Sequence, residues 1–193
     1  MNRRILSVTA ATASLFGTLF VAVAWAEPAP RLLWNASASA PIGLYRIDTD
    51  TAPRVGDLVA IDPPPALAGF LAARGYLPRG LPLLKRVAAL PGALVCRSGV
   101  FVTVDGVAVA RALARDRASR PLPMWAGCRT VRRDEIFLIN APHDSLDGRY
   151  FGPLPTAGLL GVARPIFRRA APGAPLRWCP AAGARPFSLN DKE

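Results

Sequence analysis

Apolar and polar positions follow two different rhythms along this chain, after an opening stretch with none. From Ile5 to Trp25 there are 21 consecutive residues without a charge, preceded by Arg3 and Arg4. A helix of that length, at about 1.5 Å per residue, spans roughly 30 Å, the thickness of a bilayer core. Beyond a Pro-rich, extended Glu27 to Leu33, the apolar runs are short and strand-like: Leu44 to Asp48, Gly56 to Ile61, Glu135 to Asn140 and Leu159 to Phe167. The clearest is VFVTVDGVAVA, Val100 to Ala110, whose alternation about Asp105-Gly106 predicts a two-residue type I′ hairpin. One helical rhythm interrupts the strands, in DPPPALAGFLAARG. There Asp62 is placed to cap, the prolines suit the first turn, Leu67, Phe70 and Leu71 share a face, and Gly75 ends the helix. This insertion is either a lid beside a site or plain packing. From Ala171 onward the Pro, Ala and Gly content predicts a disordered tail. The resulting plan is a membrane segment over 1–26, a mostly β domain with a short helical insertion over 27–170, and a tail over 171–193.

The arginines ahead of the span favour the cytoplasmic side and send the remainder outward. Ala24-Trp25-Ala26 has the small-x-small form of a cleavage site, so a removed signal peptide competes with a retained anchor. The span exceeds the usual h-region of about 7 to 15 residues, which favours the anchor. Either way the domain faces an oxidising space, where disulfides persist. Cys96 and Cys128 both fall within the domain and Cys179 in the tail, so a Cys96–Cys128 disulfide is expected. With a single His and no Cys/His cluster, no metal site and no cofactor is expected.

The formal net charge of +11 raises the question of nucleic acid or an anionic membrane face as partner. Interleaved basic and aromatic runs, zinc-ligand spacing and a dense basic arm are all missing, so nucleic acid is set aside. More telling is how the charge is written: 22 of the 24 basic residues are Arg. Yet Lys85 stands in PLLKRVAALPG among Leu83, Leu84, Val87 and Leu90. Arg stays protonated in a protein, whereas a desolvated Lys can lose its proton near neutral pH. The competing reading is a surface Lys snorkelling from an edge strand.

A neutral amine matters if a nucleophile lies within its reach. Asn35 to Tyr45 reads NASASAPIGLY, in which Ser37 and Ser39 stand ahead of Pro41 and Gly43. This is either a soft linker or a short pinned segment presenting a reactive hydroxyl. The usual base for serine would be His143, beside Asp144, but adjacent residues rarely point at each other. The Ser-Lys variant of the same chemistry instead uses Lys85.

NASASAPIGLY, KRVAALPG and DSLDGRYFGP, in that order behind an apolar span, resemble the three signature regions of the type I signal peptidases. The form S-x-P-x-G-L-Y resembles their conjugative-transfer, TraF-type branch, since the general enzymes have Ser-Met-x-Pro where this chain has Ser39-Ala40-Pro41. The resemblance runs from the apolar span to about Phe167. It implies a signal-peptidase or LexA-like β-fold and a membrane-anchored serine endopeptidase in the inner membrane, its catalytic domain in the periplasm. It makes Ser39 the nucleophile, Lys85 the general base, Ser37 a partner of the Ser39 N–H in holding the oxyanion, and Asp147 and Arg149 a structural pair. Gly148 stands where the general enzymes often carry serine, and Ser145 is the hydroxyl available in its place. The implied partners are a secreted precursor such as a pilin subunit, cut after a small residue or cyclised, and membrane lipid. Two other readings compete: an autoproteolytic repressor, which an apolar N-terminus does not suit, and a non-catalytic periplasmic β-domain of a secretion or conjugation assembly.

Overall fold

The computed structural model describes residues 3–26, 31–169, 171 and 173–180, and falls into two units, residues 1–30 and 31–193. The first is helix α1 (Arg3–Ala26), long and apolar enough to cross a membrane. Its described side chains are exposed.

In the second unit, β1 (Leu32–Asn35), β2 (Gly43–Asp48) and β3 (Leu58–Ile61) precede helix α2 (Pro65–Ala73). β4 (Leu83–Ala89), β5 (Leu94–Ser98), β6 (Phe101–Val104), β7 (Val107–Arg111), β8 (Gly127–Thr130) and β9 (Glu135–Leu138) follow. Helix α3 (Gly148–Phe151), β10 (Leu154–Pro155), β11 (Leu159–Arg169) and β12 (Leu176–Trp178) complete the order. The larger sheet runs β1-β2-β11-β3-β4-β9-β10 with β12 beside β11, and the smaller runs β7-β6-β5-β8. Every pairing is antiparallel, so the fold is mostly β as its sequence rhythm implies.

Three groups of buried side chains hold these layers. Val59, Ile61, Leu83, Val87, Ile136 and Leu138 pack beneath Leu71 of α2, with Leu67 and Phe70 at its margin. Ala40, Tyr45, Ile47, Ala60, Leu84 and Ala163 fill the space beside the serine segment. Val95, Val102, Val131, Phe137 and Ile139 join the smaller sheet to the larger. Strands β4 and β9 are covered on both faces, which is why their sequences read as continuous apolar runs and not as alternation. The hairpin between β6 and β7 turns on Asp105 (φ 49°) and Gly106 (φ 82°), both left-handed as a type I′ turn requires.

Two expectations are corrected. Asp62 does not cap α2: Pro64 holds that position, and the Asp62 N–H donates to the Gly158 carbonyl at 2.8 Å, extending the pairing of β3 with β11. With proline at the start of the helix, one N–H that a cap would satisfy is missing. The tail is structured at 176–178, where β12 pairs with β11 and the Trp178 ring meets Phe167 edge-on at 5.1 Å between centroids. Residues 27–30 and 181–193, part of the expected extended stretch and of the tail, lie outside the described residues.

Candidate active site

The serine segment is the connection between β1 and β2, which pair with Asn35 opposite Gly43. Gly43 has no room for a side chain, because a Cβ there would lie 2.0 Å from the Phe167 carbonyl oxygen of β11. Its Pro41 carbonyl accepts from Tyr45 Oη at 2.5 Å, and Ala40 is buried against Tyr45. Burial pushes the Tyr45 hydroxyl up to about 12, so it stays a donor. The segment is therefore pinned and not a soft linker. On it, Ser37 Oγ and Ser39 Oγ are hydrogen-bonded at 2.7 Å, and the Ser39 N–H donates to Ser37 Oγ at 3.2 Å.

Lys85 lies in the middle of β4, opposite Val59 of β3, and is 4% exposed. It shares a strand face with Leu83 and Val87 by the period-2 rule, so its stem runs through apolar surroundings. The snorkelling surface position is excluded by this burial. Nζ donates to Ser145 Oγ at 2.9 Å, a hydroxyl that is itself buried. Burial brings the ammonium down from its ordinary value to about 8; Asp147 opposes the shift and Arg149 reinforces it. At pH 7 about a tenth of such amines are unprotonated, against well under a thousandth for an ordinary lysine.

Asp147 and Arg149 form an ion pair with almost no exposure, Arg149 Nε to Asp147 Oδ1 at 2.8 Å and Nη2 to Oδ2 at 3.0 Å. The guanidinium also donates to the carbonyls of Asn140 (2.6 Å) and His143 (2.8 Å), closing the 140–149 turn on itself. Asp147 caps α3 through the Arg149 N–H and accepts the Asn140 N–H at 3.0 Å. Gly148 is held where a Cβ would meet the Leu138 carbonyl oxygen and the Phe137 ring, each at 2.7 Å. No side chain fits there, and Ser145 carries the hydroxyl that meets the lysine. Two positioning groups went unremarked in the sequence. Asn140 brackets Lys85, accepting the Arg86 N–H at 2.9 Å and donating to the Leu84 carbonyl at 3.1 Å. Asn35 does the same for the serine segment, as described below. A lone Asn at each strand end was the available signal.

A cleft of about 720 Å³ joins these parts, lined by Ser37, Ser39, Lys85 and Ser145 from the core of the domain and by Tyr76 and Asp116 at its outer wall. Tyr76, just after α2, donates to the Asp116 carboxylate, and Arg120 closes on the same carboxylate at 2.7 Å. Arg117 pairs with Asp144 across the opening. The helical insertion is thus a wall of the cleft. Among the described residues no hydrogen bond joins Ser39 to Lys85; each holds a serine partner instead. His143 does not line the cleft and offers only its carbonyl, so no Ser-His-Asp arrangement forms.

Residues 3–167 match the family model for signal peptidase, peptidase S26. The chain belongs to the S26 signal peptidases. A probable conjugal transfer protein TraF from Sinorhizobium fredii is 44% identical over 146 residues, covering 70% of this chain and 77% of that protein. The conjugal transfer protein TraF of Agrobacterium fabrum is 40% identical over 144 residues, covering 69% and 80%. These relatives put the chain in the TraF branch of the family. A solved signal peptidase I from Enterococcus faecalis, 20% identical, aligns over 58% of this chain and 97% of its own with a TM-score of 0.34. Membership of the S26 family makes the chain a serine peptidase. Outside the cleft lining, Cys96 and Cys128 are joined by a disulfide across β5 and β8, and Cys179 is free.

Proposed function

We propose that this S26 peptidase is a Ser/Lys endopeptidase of conjugal transfer, held by α1 in the inner membrane with its domain on the periplasmic side. It cleaves a secreted precursor, of the pilin class, after a small residue. The observation that carries the reading is Lys85: a buried amine brought down to about 8, opening on the cleft that Ser39 lines. Neutral Lys85 takes the Ser39 proton as Ser39 Oγ attacks the scissile carbonyl, and returns it to the leaving amine. In the free protein the Ser39 N–H is occupied by Ser37 Oγ. An incoming carbonyl oxygen displaces that acceptor and takes donors from both the Ser39 N–H and the Ser37 hydroxyl, which serves the developing oxyanion. Ser145 holds Nζ in place, and the Asp147–Arg149 pair holds the turn that carries Ser145. Attack of water on the acyl-enzyme gives hydrolysis; attack of a peptide amine gives a ligated or cyclic product.

Leu32 and Trp34 of β1 are more than half exposed in the strand that leads into the serine segment. They suit contact with lipid, with the arginine-rich surface facing anionic head groups. Failure of the full chain's domain to bind anionic vesicles would count against that contact. The principal test is processing of co-expressed secreted precursors in membranes carrying wild type, Ser39→Ala or Lys85→Arg. Wild type cuts and both variants, inserted and folded, do not. Lys85→Arg keeps the charge and removes the neutral amine, so wild-type cutting by that variant would sink the assignment of the base.

A further inference from the structure

We propose that Asn35 is a positioning residue for acyl transfer, its carboxamide acting as the template on which the serine segment is folded. This rests on the roles given above to Ser37 and Ser39. Asn35 is the last residue of β1 and is 9% exposed. Its Oδ1 accepts the Ser37 N–H at 3.1 Å, while Nδ2 donates to the carbonyls of Ser37 (2.9 Å), Ala40 (3.1 Å) and Pro41 (3.1 Å). An amide has two N–H groups, so three carbonyls share them. The arrangement fixes which end is which: exchanging oxygen and nitrogen would set an acceptor against three acceptors.

The consequence falls on the reactive atoms. Between Asn35 and Gly43 no strand ladder supports the chain; these four contacts, the Tyr45 bond to Pro41 and the Arg169 N–H on the Ile42 carbonyl (2.9 Å) hold it, with the Ser37–Ser39 bonds acting inside it. Ser37 is gripped at both its N–H and its carbonyl, and Ala40 and Pro41 at their carbonyls. Ser39 lies between the gripped points. With the carbonyls gathered on Asn35, the Ser39 N–H is left to Ser37 Oγ in the free protein and to the oxyanion in the reaction. A displacement of about 1 Å at such a site costs on the order of a hundredfold in rate.

The test compares Asn35→Ala and Asn35→Asp with wild type as full chains in detergent. Asn35→Asp keeps the shape and the Ser37 acceptor but sets a carboxylate against three carbonyls, and serves should Asn35→Ala not fold. The substrates are quenched-fluorescent peptides with alanine at the first and third positions before the cut. Both variants lose kcat by about ten- to a hundredfold, with KM within about threefold. In Asn35→Ala the pH midpoint of the rate stays at the wild-type value, because that change brings no charge into the cleft that Lys85 lines. Amide exchange followed by mass spectrometry quickens over residues 36–41 and not over β4 or β9. Unchanged kcat with a lowered Tm would make Asn35 merely structural and overturn the proposal, as would exchange that quickens throughout the domain. Wild type cutting no peptide, with exchange as expected, would defeat the peptidase reading while leaving the dependence of the segment on Asn35 intact.

Discussion

Replacing the buried lysine should make the protein more stable while abolishing its chemistry, and the gain should depend on pH in a defined window. Lys85 is 4% exposed, and burial lowers its pKa from 10.5 to about 8. A difference of that size between folded and unfolded chains corresponds to about 3 kcal/mol. The sign follows from proton counting. Below about pH 8 both states hold the proton and the folded state bears the full cost. Between about 8 and 10.5 the unfolded chain still holds a proton that the folded chain has released, so stability rises with pH. Above that window the cost is gone.

The perturbation is Lys85→Met with Ser145→Ala. Methionine keeps an unbranched stem in the Leu83 and Val87 surroundings, and the second change avoids stranding the buried hydroxyl that bonds Nζ. Allowing about 1 kcal/mol for the lost hydrogen bond, the double variant should be about 2 kcal/mol more stable than wild type at pH 7. At roughly 2 to 4 °C per kcal/mol for a chain of this size, Tm rises by several degrees. The assay is urea unfolding of detergent-solubilised protein at half-unit steps from pH 6 to 10.5, followed by tryptophan fluorescence with Cys179 alkylated. The advantage of the variant should be flat to about pH 8 and then shrink, vanishing or reversing by 10.5. A difference independent of pH over that range would refute the assignment of a burial-lowered lysine, whatever the sign of the effect at neutral pH.

Three further outcomes follow from the same geometry. The kcat/KM of wild type on a peptide substrate should rise tenfold per pH unit to a midpoint near 8 and then level, since only neutral Lys85 accepts the proton; a flat profile from pH 6 to 9 would contradict this. Gly148→Ala should lower the urea midpoint by the equivalent of about 1 to 3 kcal/mol, because its Cβ meets the Leu138 carbonyl and the Phe137 ring at 2.7 Å; an unchanged midpoint would mean the turn has room to relax. Reduction of Cys96–Cys128, 32 residues apart in sequence, should cost about 3 to 4 kcal/mol on the chain-entropy account, measured as the Tm difference with and without reductant.

How much of this was legible in the sequence depends on what kind of signal each feature leaves. The 100–110 hairpin was readable because its apolar alternation flanks a turn that needs left-handed residues, which Asp-Gly supplies. Strand β4 left only a lysine in an apolar run, since burial on both faces erases alternation. The hydrogen bond from Lys85 to Ser145 spans 60 residues of sequence, and nothing local in either segment specifies it. β12 was hidden because a Pro- and Ala-rich tail reads as unstructured, while its pairing with β11 and the contact of Trp178 with Phe167 are made with a strand outside the tail. The wall of the cleft was half visible. The helix was written in its apolar period, but its latch, Tyr76 to Asp116 and Arg120, joins two loops 40 residues apart.

The buried Asp147–Arg149 pair explains why the lysine can be activated at all. An isolated carboxylate near Lys85 would raise its pKa and keep the amine protonated; an isolated guanidinium would lower it at the expense of a stranded buried charge. Here both stand in the same turn, pushing in opposite directions on Nζ, and burial is the largest influence left. The pair therefore builds the turn that carries Ser145 while its two charges oppose each other at the amine. Asp147→Asn should then do two separable things. It should destabilise the fold by about 3 to 5 kcal/mol through the unpaired Arg149. It should also move the midpoint of the pH–rate profile downward, because the influence that held the lysine up is gone and Arg149 remains. A midpoint that rises in Asp147→Asn would refute this reading, and would mean that loss of the pair opens the turn and lets water reach Nζ, undoing the burial that lowers it.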